Sequence, residues 1–328
     1  MHSELSYEAT AVGKKTSGAS WWGRIGLGEK LSFARDRLME NFLWTVGVDF
    51  KPQFGHRRRM ATIVNALITT IDDVYDVYGT ADELELYTNV VERLVVMCNG
   101  TTSNVDALFN SINEIAFYTL MEHGVHIIPY LHNMWADLCK CYLVEAQWYY
   151  SGYIPNSEEY MNNAWISISA PVILTYAYFL CTNPITKEGL ECLEKYPNMI
   201  RWSATILRLA DDLGTSSDEL IKGDIPKSIQ CHMHETGVSE EDAREHIKYL
   251  IGETWKKMNR DRVMDSPFSQ TFIEIAMNLA RMAQCMYQYG DGHCAQGRET
   301  EDRLADPDLS PSNGLNGSKP QKGSDPRT

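Results

Sequence analysis

A chain of 328 residues with 44% hydrophobic side chains can bury one large core or two modest ones. Its net charge of −14 argues against a nucleic-acid partner, because phosphate backbones call for a basic patch. Eight cysteines without paired C-x-x-C spacing exclude a zinc ribbon or a disulfide scaffold and read as core thiols in a reducing compartment.

Residues 1–20 are polar, contain Gly, Ser and Thr, and read as a disordered segment without the apolar centre of a signal peptide. Helical spacing starts at Trp21. Leu31, Ala34, Leu38, Phe42 and Val46 recur every three or four residues, and Arg35, Arg37 and Trp44 ride on the same helix. Taken alone, the arginines are a solvated face and Trp44 an ordinary core aromatic. Lys51-Pro52-Gln53-Phe54-Gly55 breaks the helix, and His56-Arg57-Arg58-Arg59 reads as the surface start of the next. That helix spans Met60 to Tyr78, with Gly79 as its C-cap. Ala81 to Arg93 is a further amphipathic helix, and Pro129 to Tyr150 a long aromatic one. Asn162 to Phe179 is apolar but interrupted at Ser167-Ile168-Ser169-Ala170-Pro171, where proline kinks a helix and frees carbonyls. Helices are also expected over Met199–Leu213, Val238–Arg260 (Ser239 and Asp242 forming a near capping box) and Phe268–Tyr289. Residues 297–328 read as a disordered tail rich in Pro, Gly, Ser and Lys. No strand signal, internal repeat or uninterrupted apolar run of about 18 residues is present.

Two stretches carry the chemistry. Asp72, Asp73 and Asp76 lie inside the apolar run Leu67–Tyr78. Asp72 and Asp76 are one helical turn apart on one face. Crowded carboxylates in apolar surroundings are costly unless a cation compensates them. Magnesium suits them: it takes one or two carboxylates directly and completes its shell with water and phosphate. The competing reading is a solvated acidic face, which the flanking Ile71, Val74 and Val77 do not suit. Downstream, Asp211, Thr215 and Glu219 stand at i, i+4 and i+8, one stripe of a helix and a plausible second chelate. The alternative is a helix end, with Gly214 to Ser217 forming a turn and N-cap. Two such constellations favour one site between facing helices.

The pattern resembles the C-terminal catalytic domain of plant terpene synthases, in the monoterpene-synthase branch. Asp72-Asp73-Val74-Tyr75-Asp76 matches the family's DDxxD motif, Asp211 to Glu219 its second metal motif at every defined position, and Arg35-Asp36-Arg37 its R-x-R motif. The likeness covers residues 21–296. It departs from the family between Arg93 and Ala107, where Leu94 to Ser103 replaces the usual tryptophan-aspartate and leucine-proline stretch, and again in the tail.

The resemblance implies an all-α bundle around a central apolar pocket, with three Mg2+ ions (Mn2+ as a substitute) held by Asp72, Asp73, Asp76, Asp211, Thr215 and Glu219. Arg35, Asp72, Asp76, Arg208, Asp211 and Lys227 would bind the substrate's diphosphate. Arg35 and Arg37 would guard the released diphosphate, Trp44 would face the carbocation, and Asp291 would sit in the Tyr287–His293 loop that caps the pocket. It implies a carbon–oxygen lyase of isoprenoid secondary metabolism in plants, a monomer acting on geranyl diphosphate, with no nucleic acid and no membrane. Farnesyl diphosphate, or a form that binds metal–diphosphate without turnover, are the alternatives. A chain-elongating prenyltransferase fits less well, because its second motif is another DDxxD. Relatives are plastidial; a chain expressed as written, without a transit peptide, would stay in the cytoplasm. The sequence as it stands lacks the family's N-terminal helical domain and tandem-arginine motif, so a truncated, weakly active enzyme with more acyclic products, or none, is the expectation.

Overall fold

The computed structural model describes residues 37–93, 103–222, 225–288 and 290. Among them the chain is helical, with no strand. In order come α1 (Leu38–Val48), a 3-10 turn (Pro52–Phe54), α2 (Gly55–Asp73) running into a π turn (Val74–Tyr78), and α3 (Ala81–Arg93). Then follow α4 (Ser103–His123), α5 (Ile128–Ser151), α6 (Ser157–Ser167), α7 (Ala170–Cys181), α8 (Lys187–Leu193) and α9 (Asn198–Lys222). The bundle closes with α10 (Ser228–Thr236), α11 (Glu240–Asp261) and α12 (Gln270–Met286).

The centre of the bundle is α9. Ile200, Ser203, Ala204, Leu207 and Ala210 are all buried at three- to four-residue spacing, and α9 packs on α6, α7, α10, α11 and α12. On the other side, α2 packs on α1, α4 and α7. Thus α7 is a wall common to the two acid-bearing helices, which make no substantial packing contact with each other. Aromatic residues fill the interior. Trp135 is fully buried and donates through Nε1 to Tyr176 Oη at 2.9 Å; a side chain of this kind stabilises by about 1.5–3 kcal/mol through burial.

The break before α7 is present. Ser169 adopts φ +65°, a left-handed conformation that costs a non-glycine residue roughly 1 kcal/mol. Pro171 occupies the first turn of α7, so the Ser167 carbonyl loses its helical donor. By length and composition Ser157–Cys181 could cross a membrane, but 67% of its most apolar window is buried within the bundle.

The cap expected at Gly79 is present, and the surface reading of the arginines that start α2 is corrected. Gly79 is the C-cap that closes the π turn, in an extended conformation (φ −84°, ψ 136°) with its N–H on the Val74 carbonyl. Glycine is needed there for space: a Cβ would lie 2.3 Å from Leu84 Cδ2. Arg57 and Arg58 do start α2 but are not surface residues. Arg58 is 1% exposed and donates to the carbonyls of Asp49 (3.0 Å), Lys51 (2.6 Å) and Pro52 (3.4 Å). Arg57 pairs with Asp49 Oδ2 at 2.9 Å and stacks on Phe54 at 3.2 Å. The two guanidiniums clamp the α1–α2 corner, because carbonyls at a helix end need donors. Two further helices, α8 and α10, are each too short to show periodicity in the sequence. Residues 1–36, including Arg35, the segment 94–102, and residues 291–328, including Asp291 and the tail, lie outside the described residues.

Arg58→Leu strips donors from three carbonyls at once. The expected loss is about 3 kcal/mol, read as a clear fall in Tm; an unchanged Tm would contradict the clamp.

Candidate active site

The first motif sits where α2 passes into the π turn. Asp73 is buried at 1% exposure, Asp72 is half-buried and Asp76 exposed. The π turn lets the chain widen here: Gly79 N–H reaches back five residues to Val74. Tyr75 anchors the turn by pairing its hydroxyl with Thr88 Oγ1 at 2.7 Å. Asp72 and Asp76 both act on Tyr142 of α5, whose hydroxyl is held well above the usual tyrosine range by burial and then by those two charges. Asp72 and Asp76 therefore share a face toward α5, and Asp73 faces inward.

The second motif lies on an unbroken α9, which rejects the helix-end alternative at Gly214. Glycine there serves packing: a Cβ would meet Tyr287 Cβ and carbonyl oxygen at 3.0 Å and the Gly290 carbonyl at 3.2 Å. The segment after α12 thus closes directly onto the motif. Tyr287 hydrogen-bonds the Asp211 carboxylate and lies 6.1 Å from the Trp44 ring, tilted by 55°. Thr215 donates its hydroxyl to the Asp211 carbonyl at 3.0 Å, leaving the oxygen's lone pairs available. Glu219 continues the same helix; its side chain lies outside the described residues.

Beneath the motif is a buried ion pair. Arg208 donates through Nε to Asp212 Oδ1 at 2.7 Å, and its Nη2 is 2.6 Å from the same oxygen while also bonding Asp211. Asp212 is fully buried and accepts from Tyr160 Oη at 3.0 Å and from the Ser228 backbone N–H at 3.1 Å. Burial works against the Arg208 charge, but Asp212, Tyr160, Asp211 and Glu145 hold it protonated far above neutrality. Asp211 is less fully compensated. Burial lifts its carboxyl to about 6, against the opposing pull of Arg208 and Lys227. Lys227 is buried at 8% exposure at the start of α10, and the Ser228–Asp212 bond fixes its position.

Arg208, Asp211, Thr215 and Lys227 are thus gathered in one place. Trp44 is buried on α1 beside Tyr287 and lines a narrow cavity of about 40 Å3 with Asn65, Ile173, Ala177 and Leu279. Arg37 stands at the N-terminus of α1, Nη1 3.4 Å from Glu40 Oε1. Among the described residues no three of His, Cys, Asp or Glu form a metal cluster by themselves. The donors still suit a hard cation: all are oxygens, the Asp211 carboxylate is under-compensated, and magnesium completes its shell with water and phosphate rather than an all-protein cage.

Sequence reasoning missed Tyr142 and Glu145 as site residues. Glu145 acts on Tyr142, as do Asp72 and Asp76, and also on Arg208 and Tyr160 beneath the second motif. It accepts from Ser167 Oγ at 2.5 Å and Asn163 Nδ2 at 3.2 Å. A lone carboxylate within Tyr142-Leu143-Val144-Glu145-Ala146 carried the same signal as Asp72, an acid in an apolar helix.

An all-helical bundle presenting acid stripes on two helices either side of a common wall defines a class I terpenoid synthase fold. The family description "Terpene synthase family, metal binding domain" matches residues 24–257, and the chain belongs to that family. It is 65% identical over 291 residues to (−)-alpha-terpineol synthase of Vitis vinifera, covering 87% of this chain and 49% of that protein. It is 64% identical over 293 residues to the chloroplastic myrcene synthase of Quercus ilex, with the same coverage of each. The chain therefore spans about half the length of the curated relatives it matches. Among solved structures it resembles limonene synthase with 2-fluorolinalyl diphosphate at TM-score 0.82 and 46% identity, covering 87% of this chain and 54% of that one. It also resembles isoprene synthase of Populus x canescens, in complex with three Mg2+ ions and dimethylallyl-S-thiolodiphosphate, at TM-score 0.83 and 42% identity, covering 92% and 58%.

Asp212→Asn keeps the volume but leaves Arg208 buried without its counter-charge. A loss of about 3–5 kcal/mol is expected, together with loosening of α6 and α10 in hydrogen exchange. An unchanged exchange pattern would contradict the hub.

Proposed function

We propose that this chain is the metal-binding catalytic part of a monoterpene synthase: it ionises geranyl diphosphate with Mg2+, rearranges the cation to a monoterpene and releases diphosphate. One observation carries the proposal. Asp72 and Asp76 act on Tyr142 from one side, and Arg208, which holds Asp211 and Asp212, interacts with Glu145 on the same turn of α5 from the other. The monoterpene synthases among its relatives support the substrate class.

Asp72, Asp76, Asp211 and Thr215 would hold magnesium, with Asp73 and Glu219 assigned through the resemblance. When bound, the metal supplies Lewis-acid neutralisation of the leaving diphosphate. The protein's own groups do the rest. Arg208, fixed by Asp212, offers its remaining donor geometry to phosphate oxygens, and Lys227 adds a compact positive charge beside Asp211. Arg35 and Arg37 are assigned to holding the released diphosphate away from the cation. The Trp44 ring face would stabilise positive charge on the allylic chain. Tyr287, packed between Trp44 and Asp211, joins the diphosphate end to the apolar end and excludes water there; Asp291 belongs to the same capping segment. The plastid is the proposed compartment, as in relatives labelled chloroplastic.

Incubation with geranyl or farnesyl diphosphate and Mg2+, with gas-chromatographic analysis of volatiles, tests this. The expected outcome is monoterpene from geranyl diphosphate, reduced roughly 10²–10³-fold in Asp76→Asn with Tm retained. Larger turnover of farnesyl diphosphate would make it a sesquiterpene synthase. Diphosphate binding without any product from folded protein would overturn catalysis by this chain.

A further inference from the structure

A second pocket, of about 300 Å3, opens between α3, α5, α7 and α8, and none of its lining residues belongs to the site above. Its wall carries Glu92, Asp137 and Glu194 against a single ammonium, Lys140. Lys140 is already engaged, 2.8 Å from Glu92 Oε1 and 3.8 Å from Asp137 Oδ1. Tyr196 donates to Asp137 Oδ2 at 2.5 Å. Glu194 has no cationic partner among the described residues, and its charge reaches the Tyr130 ring that also lines the pocket. Three carboxylates facing one ammonium repel anionic ligands and attract cations.

Thr175 of α7 points to what else the ligand carries. It lines the pocket at 1% exposure, and its hydroxyl has no hydrogen-bond partner. Buried hydroxyls of Ser111, Tyr87 and Tyr178 are likewise unpaired, but among the described threonines Thr175 is the exception. Thr70, Thr88, Thr119, Thr205 and Thr254 each donate to the carbonyl four residues back in their helix. Thr175 makes no such bond. A buried hydroxyl without a partner is unfavourable, and a polar group entering the pocket would relieve it.

We propose that this pocket binds a small organic cation bearing a hydroxyl at its far end, a short amino alcohol, with the ammonium against Glu194 and Asp137 and the hydroxyl paired to Thr175. The Tyr130 and Tyr196 rings give the ammonium aromatic faces as well as carboxylates. The alkyl chain lies along Met134 and Leu193.

Calorimetric titration with 4-aminobutan-1-ol, n-butylammonium and butane-1,4-diol at matched ionic strength tests both ends of the ligand. The expected affinity for 4-aminobutan-1-ol is about 1 mM or better, and about tenfold above either comparator, the equivalent of one hydrogen bond or charge contact. In Thr175→Val the preference for 4-aminobutan-1-ol over n-butylammonium should vanish while Tm holds or rises. In Glu194→Gln both amines should weaken and the diol should not. Equal binding of the diol and the amino alcohol, no binding of the amino alcohol, or a tenfold preference surviving in Thr175→Val would each overturn the proposal. None of these readouts depends on terpene formation, so they stand apart from the function proposed above.

Discussion

The site rests on a guanidinium and a carboxylate that are both out of water. Arg208 and Asp212 gain from their pairing only because every remaining valence of Asp212 is used: one oxygen takes the guanidinium, and Tyr160 and the Ser228 N–H fill the rest. A buried ion pair with an unmet partner would be a liability. Satisfied in this way, it ties α9 to α6 and to the start of α10, and so sets where Arg208 and Lys227 can point. The neighbouring Asp211 shares the same guanidinium and also feels Lys227, but burial outweighs both. Its carboxyl, lifted to about 6 by burial, retains the need for a cation that Asp212 has lost. Adjacent acids in one helix are thereby divided into a structural residue and a metal-ligand candidate.

The first motif shows the same division. Asp73 is buried, whereas Asp72 and Asp76 face Tyr142. Asp72 and Asp73 are consecutive on α2 and so point about 100° apart, while Asp76 lies within the π turn. Between the motifs stands α7, with a left-handed Ser169 and a proline in its first turn. A continuous helix from Ser157 to Cys181 would carry its carbonyls along its own axis; the break is what allows backbone oxygen to face away from it.

Much of this was legible. Long amphipathic helices announced themselves: Ala81–Arg93 has the bounds expected, and Ile128–Ser151 differs by a residue at each end. The acid stripes were readable because a carboxylate in an apolar run is energetically conspicuous. Gly214 competes as a turn signal, because its purpose, room for Tyr287, is tertiary and leaves no local trace. Arg57 and Arg58 looked solvated for a similar reason: their partners are backbone carbonyls of a preceding corner, and carbonyls have no sequence signature. Tyr160 and Ser228 could not be assigned to Asp212 from spacing, since they are brought to it by α6 and α10 packing. Glu145 carries the same signal as Asp72, an acid within an apolar run, but as a single carboxylate without a second to crowd it.

The central claim is that the two acid stripes, with Arg208 and Lys227, grip one cation–diphosphate assembly. Calorimetric binding of inorganic diphosphate in the presence and absence of Mg2+ tests it most directly when carried through a double-mutant cycle of Asp76→Asn and Asp211→Asn. Shared gripping predicts metal-dependent binding, a loss of about tenfold or more in each single variant, and little further loss in the double. Binding that ignores Mg2+, or losses that simply add as for independent sites, would contradict it.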